Sequence, residues 1–130
     1  MSRPEQDDRV EEIALSSLVR LDTALCRDQS AWFLVEVRPY QAPLFMSVLR
    51  VEHVLLIGRD PACGLVLEGA HVSRRHALLH PTEHGFAIED ISRHGTLVND
   101  LPLHAARVEV EHEVLLGIGC NRVRLRRLGG

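Results

Sequence analysis

The spacing of hydrophobic residues changes near residue 30 of this 130-residue chain. Before that point, apolar residues recur at steps of three and four, as on one face of an amphipathic helix. The pattern predicts a helix at about residues 10–25, within an N-terminal extension that covers residues 1–30. The apolar positions of this helix are Val10, Ile13, Ala14, Leu18, Leu21 and Leu25.

Residues 31–128 instead contain short runs of β-forming residues separated by turn residues. Many short strands with regularly spaced turns are typical of an antiparallel sandwich or barrel. We therefore expect an all-β fold, an antiparallel β-sandwich with the amphipathic helix in front of it. The expected strands include 32–37, 44–49, 54–57, 65–67, 86–88, 108–111 and 122–126, with turns that include 81–85, 93–95, 99–100 and 117–119.

Composition and charge narrow the possible partners. The net charge of −3 and the aromatic content of 4% argue against a nucleic-acid partner, which usually requires a basic surplus and stacking platforms. No apolar run reaches the roughly 20 residues of a membrane helix, and no hydrophobic stretch of a secretory signal follows Met1. Cys26, Cys63 and Cys120 are widely spaced, as in a reducing compartment. We expect a cytoplasmic protein without a membrane partner.

Three segments of the β region carry its candidate chemistry. They are Gly58-Arg59, Ser73-Arg74-Arg75-His76 and Ser92 to Asn99. The spacing between successive segments is long enough for one strand to lead away from an end of the sandwich and for another to return to the same end. We therefore expect three loops to meet at one end of the sandwich and to gather hydrogen-bond donors without a balancing acid. A phosphate would suit such a cluster, because it carries two negative charges near neutral pH and accepts charge-assisted hydrogen bonds. The gathered residues are Arg59, Ser73, Arg74, Arg93 and His94.

These segments resemble those of the forkhead-associated (FHA) domain family, which carries Gly-Arg, Ser-x-x-His and Ser-x-Asn-Gly-Thr-x-x-Asn in this order. The resemblance covers about residues 32–128. It implies an eleven-stranded β-sandwich that binds phosphothreonine peptides through loops at one end. It also implies a signalling adaptor downstream of a Ser/Thr kinase, with no catalytic activity and no cofactor.

The resemblance also implies roles for individual residues. Arg59 and Ser73 would be the principal phosphate ligands, Arg74 would contact the phosphate or the peptide backbone, and Arg93 would approach from the third loop. His76 would brace the loops, and the other supporting positions would be Gly58, Gly95, Thr96 and Asn99.

Two positions depart from the family pattern. His94 stands where the family usually has the Asn that hydrogen-bonds the ligand backbone, and an imidazole cannot both donate and accept as an amide does. Asn99-Asp100 stands where an Asn-Gly turn is usual, and Asp adopts such a turn at some cost.

Enzyme and metal sites have weaker support. Ser73 and His76 are close in sequence, but no Gly-x-Ser-x-Gly elbow surrounds the serine, and a triad with Asp90 would leave the arginines unexplained. Among the candidate ligands His71, His76, His80 and His84, the pair His76 and His80 would lie about 13 Å apart on a strand, too far to share one zinc ion. We expect neither catalysis nor a bound metal.

The N-terminal extension leaves further possibilities open. The helix could pack on the flank of the sandwich, mediate self-association or bind a partner. An alternative function is therefore a phosphate-independent assembly or scaffold protein. Thr23 could also be a kinase target that the protein's own pocket captures, an autoinhibitory arrangement that the resemblance implies.

Overall fold

The computed structural model describes residues 29–129. The predicted helix at residues 10–25, with Thr23, lies outside these described residues. Within residues 29–129 there is no helix with the length and apolarity needed to cross a membrane.

The described residues form eleven strands and no helix. In chain order they are β1 (Ala31–Arg38), β2 (Phe45–Val51), β3 (Leu55–Gly58), β4 (Leu65–Val66), β5 (Ala77–Pro81), β6 (Phe86–Asp90), β7 (Thr96–Val98), β8 (Leu101–Leu103), β9 (Arg107–Val110), β10 (Glu113–Ile118) and β11 (Asn121–Leu128). A six-stranded sheet has the order β2-β1-β11-β10-β7-β8, and a five-stranded sheet has the order β4-β3-β5-β6-β9. The predicted all-β sandwich is confirmed.

The core lies between the two sheets. Strand β1 alternates between core and surface, so that Phe33, Val35 and Val37 are buried while the residues between them face outward. From the other sheet, the Phe86 ring meets the Phe33 ring edge to face, with 5.2 Å between ring centroids. An arrangement of this kind stabilises an aromatic pair beyond the burial of its surface. The two sheets are therefore held together by interdigitated apolar side chains.

The prediction of a turn at residues 117–119 is wrong for Gly117 and Ile118, which lie within β10. A Cβ atom at Gly117 would come within 3.1 Å of the Leu97 Cβ atom on β7. This glycine therefore serves close strand packing, and the chain reverses at Gly119, whose φ is +61°. Strands β5, β7, β8 and β10 were not predicted.

The hairpin between β7 and β8 turns on two residues with positive φ, Asn99 at 49° and Asp100 at 70°. These angles fit a type I′ turn, whose handedness matches the twist of the flanking strands. Asn99 also connects the hairpin to β10. Its backbone N–H donates to Leu115 O at 2.8 Å, and its Oδ1 accepts from the Leu115 N–H at 3.0 Å.

We expect Asp100→Gly to raise the free energy of unfolding by about 0.5 kcal/mol, because glycine removes the left-handed strain but loses more backbone entropy on folding. Urea unfolding followed by circular dichroism measures this change. Asp100→Ala is the matched control, which keeps the Cβ atom and loses the polar side chain, and it should lower the stability. A glycine variant less stable than the unsubstituted protein would contradict this account of the turn.

Candidate functional site

Three loops at one end of the sandwich enclose a cleft of about 740 Å³. They connect β3 to β4, β4 to β5, and β6 to β7. The structure thus brings together the five residues that the sequence predicts as binding residues. The lining consists of Arg59, Asp60, Ala70, His71, Val72, Ser73, Arg74, Arg75, Ile91, Ser92, Arg93 and His94.

Arg59 is held against the loop between β4 and β5. Its backbone N–H donates to Ser73 O at 3.0 Å, and its side-chain Nε donates to Val72 O at 2.9 Å. The Nε bond fixes the direction of the guanidinium group. Arg carries donors on three nitrogens, and within residues 29–129 neither terminal nitrogen has a hydrogen-bond or ion-pair partner, so both can serve a ligand in the cleft.

Gly58 allows this close contact between the loop and β3. A Cβ atom at Gly58 would lie 2.3 Å from Arg74 O and 3.0 Å from the His76 backbone nitrogen. Any larger residue would push the loop away from β3, because backbone atoms cannot yield as a flexible side chain can. Gly58 therefore sets the position of both Arg59 and the segment that follows Ser73.

Ser73 joins the second loop to the third. Its Oγ accepts a hydrogen bond from the Arg93 backbone N–H at 3.0 Å. A hydroxyl group can donate one proton while it accepts, and within residues 29–129 the Ser73 hydroxyl has no recorded acceptor. Its proton can therefore be donated to an acceptor in the cleft.

His76 is fully buried behind the cleft and connects the same two loops. Its Nδ1 accepts from the Ser73 N–H at 3.0 Å, and its Nε2 lies 2.9 Å from Gly95 O. Because Nδ1 accepts and a carbonyl oxygen can only accept, the proton resides on Nε2 of a neutral ring. Burial lowers the pKa of His76, although the Gly95 carbonyl and the Asp90 charge act in the opposite direction.

The third loop is fixed from within by Asp90, which is buried. Its Oδ1 accepts from the Ser92 and Thr96 hydroxyls, both at 2.7 Å, and its Oδ2 accepts from the Ala105 N–H at 2.9 Å. Burial acts to raise the pKa of Asp90, but these hydrogen bonds together lower it. The Ser92 Oγ also accepts from the Gly95 N–H at 2.7 Å, which closes the loop.

The expectation that no acid balances the cluster is wrong, because Asp60 also lines the cleft. Its Oδ2 lies 3.7 Å from Arg74 Nη2, and the Arg74 side chain is 74% exposed. A long ion pair with so exposed a partner contributes little to stability. Arg74 can therefore leave Asp60 for a stronger anion at small cost.

Cys63 lies under the same loops and takes no part in the lining. Its Sγ contacts Arg74 O at 3.3 Å. Burial, together with the charge of Asp60, raises the pKa of the Cys63 thiol. Cys63 is therefore buried and protonated at neutral pH, and its contact with Arg74 O helps to hold the loop between β4 and β5.

His94 stands between the main cleft and a smaller pocket of about 350 Å³. Its ring meets the ring of His71 edge to face, with 5.4 Å between centroids. Gly95, whose φ is +92°, and the buried Thr96 line the smaller pocket. Asn99 lines neither pocket, because it occupies the turn between β7 and β8.

A family profile described as FHA domain matches residues 55–119. The match spans β3 to β10 and so includes all three loops of the cleft. The chain belongs to the FHA domain family. No curated protein matched the sequence.

Solved FHA domains share this fold. The FHA domain of the CT664 protein from Chlamydia trachomatis is 19% identical, with a TM-score of 0.63, and the match covers 76% of this chain and 100% of that one. The yeast Dun1 FHA domain, in complex with a doubly phosphorylated (pT) peptide derived from Rad53 SCD1, is 17% identical, with a TM-score of 0.62 and coverage of 75% and 74%. Mycobacterium tuberculosis EmbR, in complex with a low-affinity phosphopeptide, is 20% identical, with a TM-score of 0.59 and coverage of 75% and 25%.

The polar residues of this FHA domain are arranged differently from a Ser-His-Asp relay. The His76 ring contacts the Ser73 amide rather than its hydroxyl, and Asp90 contacts Ser92, Thr96 and Ala105. Among residues 29–129, no group of three or more His, Cys, Asp or Glu side chains is arranged to hold a metal ion.

Four residues shape the site in roles that the sequence did not predict for them. Arg75 and His71 line the cleft, and Asp90 with Ser92 forms the internal support of the third loop. The Asp-x-Ser-x-x-Gly pattern was a detectable signal for this loop, because Asp and Ser side chains commonly cap the backbone of tight turns. Arg75 and His71 line the cleft because of the conformation of their loop, and no pattern in the sequence indicates that conformation.

We expect the stability of this FHA domain to fall as the pH is lowered from 7.5 to 5.5, more steeply than in His76→Gln. The folded pKa of His76 lies below the unfolded value of about 6.5. Below about pH 6.5 the unfolded chain therefore binds more protons than the folded chain, and the contribution of the neutral ring is lost progressively as the pH falls from there towards the lower folded pKa. Urea midpoints across this range measure the effect.

His112→Gln is the matched control, because His112 is exposed on the loop between β9 and β10. It should show the same pH dependence as the unsubstituted protein. Equal slopes for the unsubstituted protein and His76→Gln would mean that His76 is not held neutral behind the loops.

Proposed function

We propose that this chain is a phosphothreonine-binding module that recruits proteins modified by a Ser/Thr kinase. The chain has the FHA fold. Two solved neighbours of the same fold were determined with phosphorylated peptides, the yeast Dun1 FHA domain and Mycobacterium tuberculosis EmbR. In this proposal the protein performs no catalysis and acts as a signalling adaptor in the cytoplasm.

The convergence of Arg59 and Ser73 on one cleft carries this proposal. The two residues are 14 positions apart in the sequence, and the Arg59 backbone N–H donates to Ser73 O at 3.0 Å. Arg59 offers two terminal guanidinium nitrogens, and Ser73 offers its hydroxyl proton. Together they supply donors for more than one oxygen of a phosphate, each as a charge-assisted hydrogen bond.

The remaining cleft residues take secondary roles in this proposal. Arg74 leaves its long contact with Asp60 to bind the phosphate or the peptide backbone, and Arg93 approaches from the third loop. Arg75 adds a fourth guanidinium group to the lining. With four arginines against one acid, the cleft keeps a positive charge that suits the dianionic phosphate.

His94 and the smaller pocket receive the part of the peptide that follows the phosphothreonine. Gly95 and Thr96 line that pocket, and the resemblance to the family implies that the phosphothreonine methyl group is held in a small slot beside these two residues. With His94 in place of the usual Asn, the contact to the peptide backbone differs from that of the family pattern. The preference for residues after the phosphothreonine is therefore expected to differ as well.

We expect Arg59→Ala to weaken binding of a phosphothreonine peptide at least tenfold, because each charge-assisted hydrogen bond contributes about 1.5–3 kcal/mol. An unbiased phosphothreonine peptide library identifies the ligand, and fluorescence anisotropy measures its affinity. The same peptide with phosphoserine should bind more weakly, and the unmodified threonine peptide should show no specific binding.

Arg126→Ala is the matched control for this experiment. Arg126 is an exposed arginine near the end of β11, at the end of the sandwich opposite the cleft. Equal binding of phosphorylated and unmodified peptides, or equal affinities of Arg59→Ala and the unsubstituted protein, would overturn the proposal. The first result would favour the phosphate-independent scaffold.

We expect the affinity of the unsubstituted protein, relative to that of His94→Asn, to increase as the pH falls from 7.5 to 6.5. A lower pH favours the imidazolium form of a histidine, and an imidazolium beside a phosphate adds a favourable charge. Below about pH 6 the phosphate itself takes up a proton, which opposes the gain. His71, the four arginines and Asp60 face the same cleft and are unchanged in both proteins. Parallel pH profiles would place His94 away from the phosphate.

A further inference from the structure

The outer surface of the six-stranded sheet carries an apolar patch where β1 and β2 pair. We call Trp32, Leu34, Met46, Val48 and Leu128 the outer patch. In the strand register, Leu34 lies opposite Val48, and Trp32 lies opposite Leu128. Trp32, Met46 and Val48 are 52%, 54% and 52% exposed in the structure of residues 29–129.

This patch lies at the edge of the sheet, because β2 is the outermost strand of that sheet. Exposed apolar side chains on an edge strand promote association with other chains, and proteins usually cover or charge such edges. Charged residues share this face, since Arg50 lies opposite Trp32 and Glu36 lies opposite Met46. Exposed apolar side chains bordered by polar ones in this way are typical of an interaction site. The question is which molecule covers it.

The preceding segment of the same chain is positioned to do so. The chain enters β1 at Ala31, beside Trp32, and the predicted helix ends about five residues earlier. So short a connection makes the two elements neighbours in space. The inner face of β1 is already filled by the second sheet, so a helix that packs on this strand must lie on its outer face.

The dimensions of the two elements also agree. Strand β1 has eight residues and spans about 26 Å at the usual rise of a strand. A helix of residues 10–25 would span about 24 Å. Running antiparallel to β1, its apolar stripe would therefore extend along the whole outer patch.

Charge supports the same pairing. Residues 1–30 contain seven Asp and Glu against four Arg. Beside the patch, Arg122, Arg124 and Arg126 alternate along the outer face of β11. Arg124 contacts Glu36 and Glu113, whereas Arg122 and Arg126 have no ion-pair partner within residues 29–129.

We propose that residues 10–25 form a helix that packs on the outer patch of its own chain, antiparallel to β1. The apolar stripe covers Trp32, Met46 and Val48, and acidic residues of the extension approach the arginines of β11. The helix thereby covers the exposed apolar side chains of this face. This surface lies outside the cleft, so the proposal is independent of the proposed function.

Trp32 reports on this contact directly, because it is the one tryptophan of the chain and lies within the patch. In the full chain we expect its emission to be blue-shifted and poorly quenched by acrylamide. Leu18→Glu, which places a charge in the apolar stripe, should shift the emission to the red and increase the quenching constant about twofold, as the half-exposed ring returns to water. Met46→Glu, on the sheet side of the contact, should have the same effect.

Ser16→Glu is the matched control, because Ser16 lies on the opposite face of the predicted helix and introduces the same charge. It should leave the emission and the quenching unchanged. Circular dichroism and urea unfolding establish that each variant keeps the β-sandwich.

Two results would overturn the proposal. The first is a Trp32 that is quenched as readily in the unsubstituted chain as in Leu18→Glu. The second is protection of Trp32 that disappears on dilution while light scattering records the dissociation of a dimer, because a second copy would then cover the patch.

Discussion

The arrangement of the site depends on one buried side chain, His76, which bridges two loops through both ring nitrogens. Its Nδ1 accepts from the Ser73 N–H, and its Nε2 donates to Gly95 O. Both bonds require the neutral ring, and burial favours that state. The loop that carries Ser73 and the loop that carries Arg93 are thereby fixed relative to each other, and the Arg93 N–H completes the connection at Ser73 Oγ.

The supports of the site do not overlap with the groups that face the cleft. Gly58 sets the approach of the second loop to β3, and Asp90 holds the third loop from inside. Neither contributes a side chain to a ligand. Because these supports are buried and satisfied, the exposed arginines can be held near one another despite their mutual repulsion, and Asp60 is the one acid that residues 29–129 contribute to the lining. The positive charge is therefore already concentrated in the folded protein before a ligand binds, and the repulsion is offset by the free energy of folding.

The sequence predicted the sandwich and the cleft residues because both depend on local patterns in a fixed order. Ser73 and Arg93 could be assigned to one end because two strands, β5 and β6, lead away and return between them. The same reasoning was wrong in detail for Arg59 and Ser73, since only the two-residue strand β4 lies between them. Prediction failed where structure depends on distant packing. Strand β7 has three residues, too few to show an alternating pattern. Gly117 indicates a turn by its residue type, whereas its contact with Leu97, 20 positions away, is not visible in the sequence. The side chain of Asn121 donates to Glu68 O, 53 positions away, a contact that no local pattern indicates.

The fold also constrains the prediction that Thr23, once phosphorylated, is captured by the cleft of its own chain. The cleft lies at the Arg38 end of β1, since Asn121, next to Arg122 that pairs with Arg38, contacts the loop between β4 and β5. The chain enters β1 at the opposite end, about 26 Å away. Ala31 follows Thr23 by eight positions, and a fully extended chain spans at most about 29 Å over that distance. Capture within one chain therefore requires residues 23–30 to be extended along β1, which removes the end of a helix at residues 10–25. A helix packed on the outer patch and a Thr23 bound in its own cleft are mutually exclusive states.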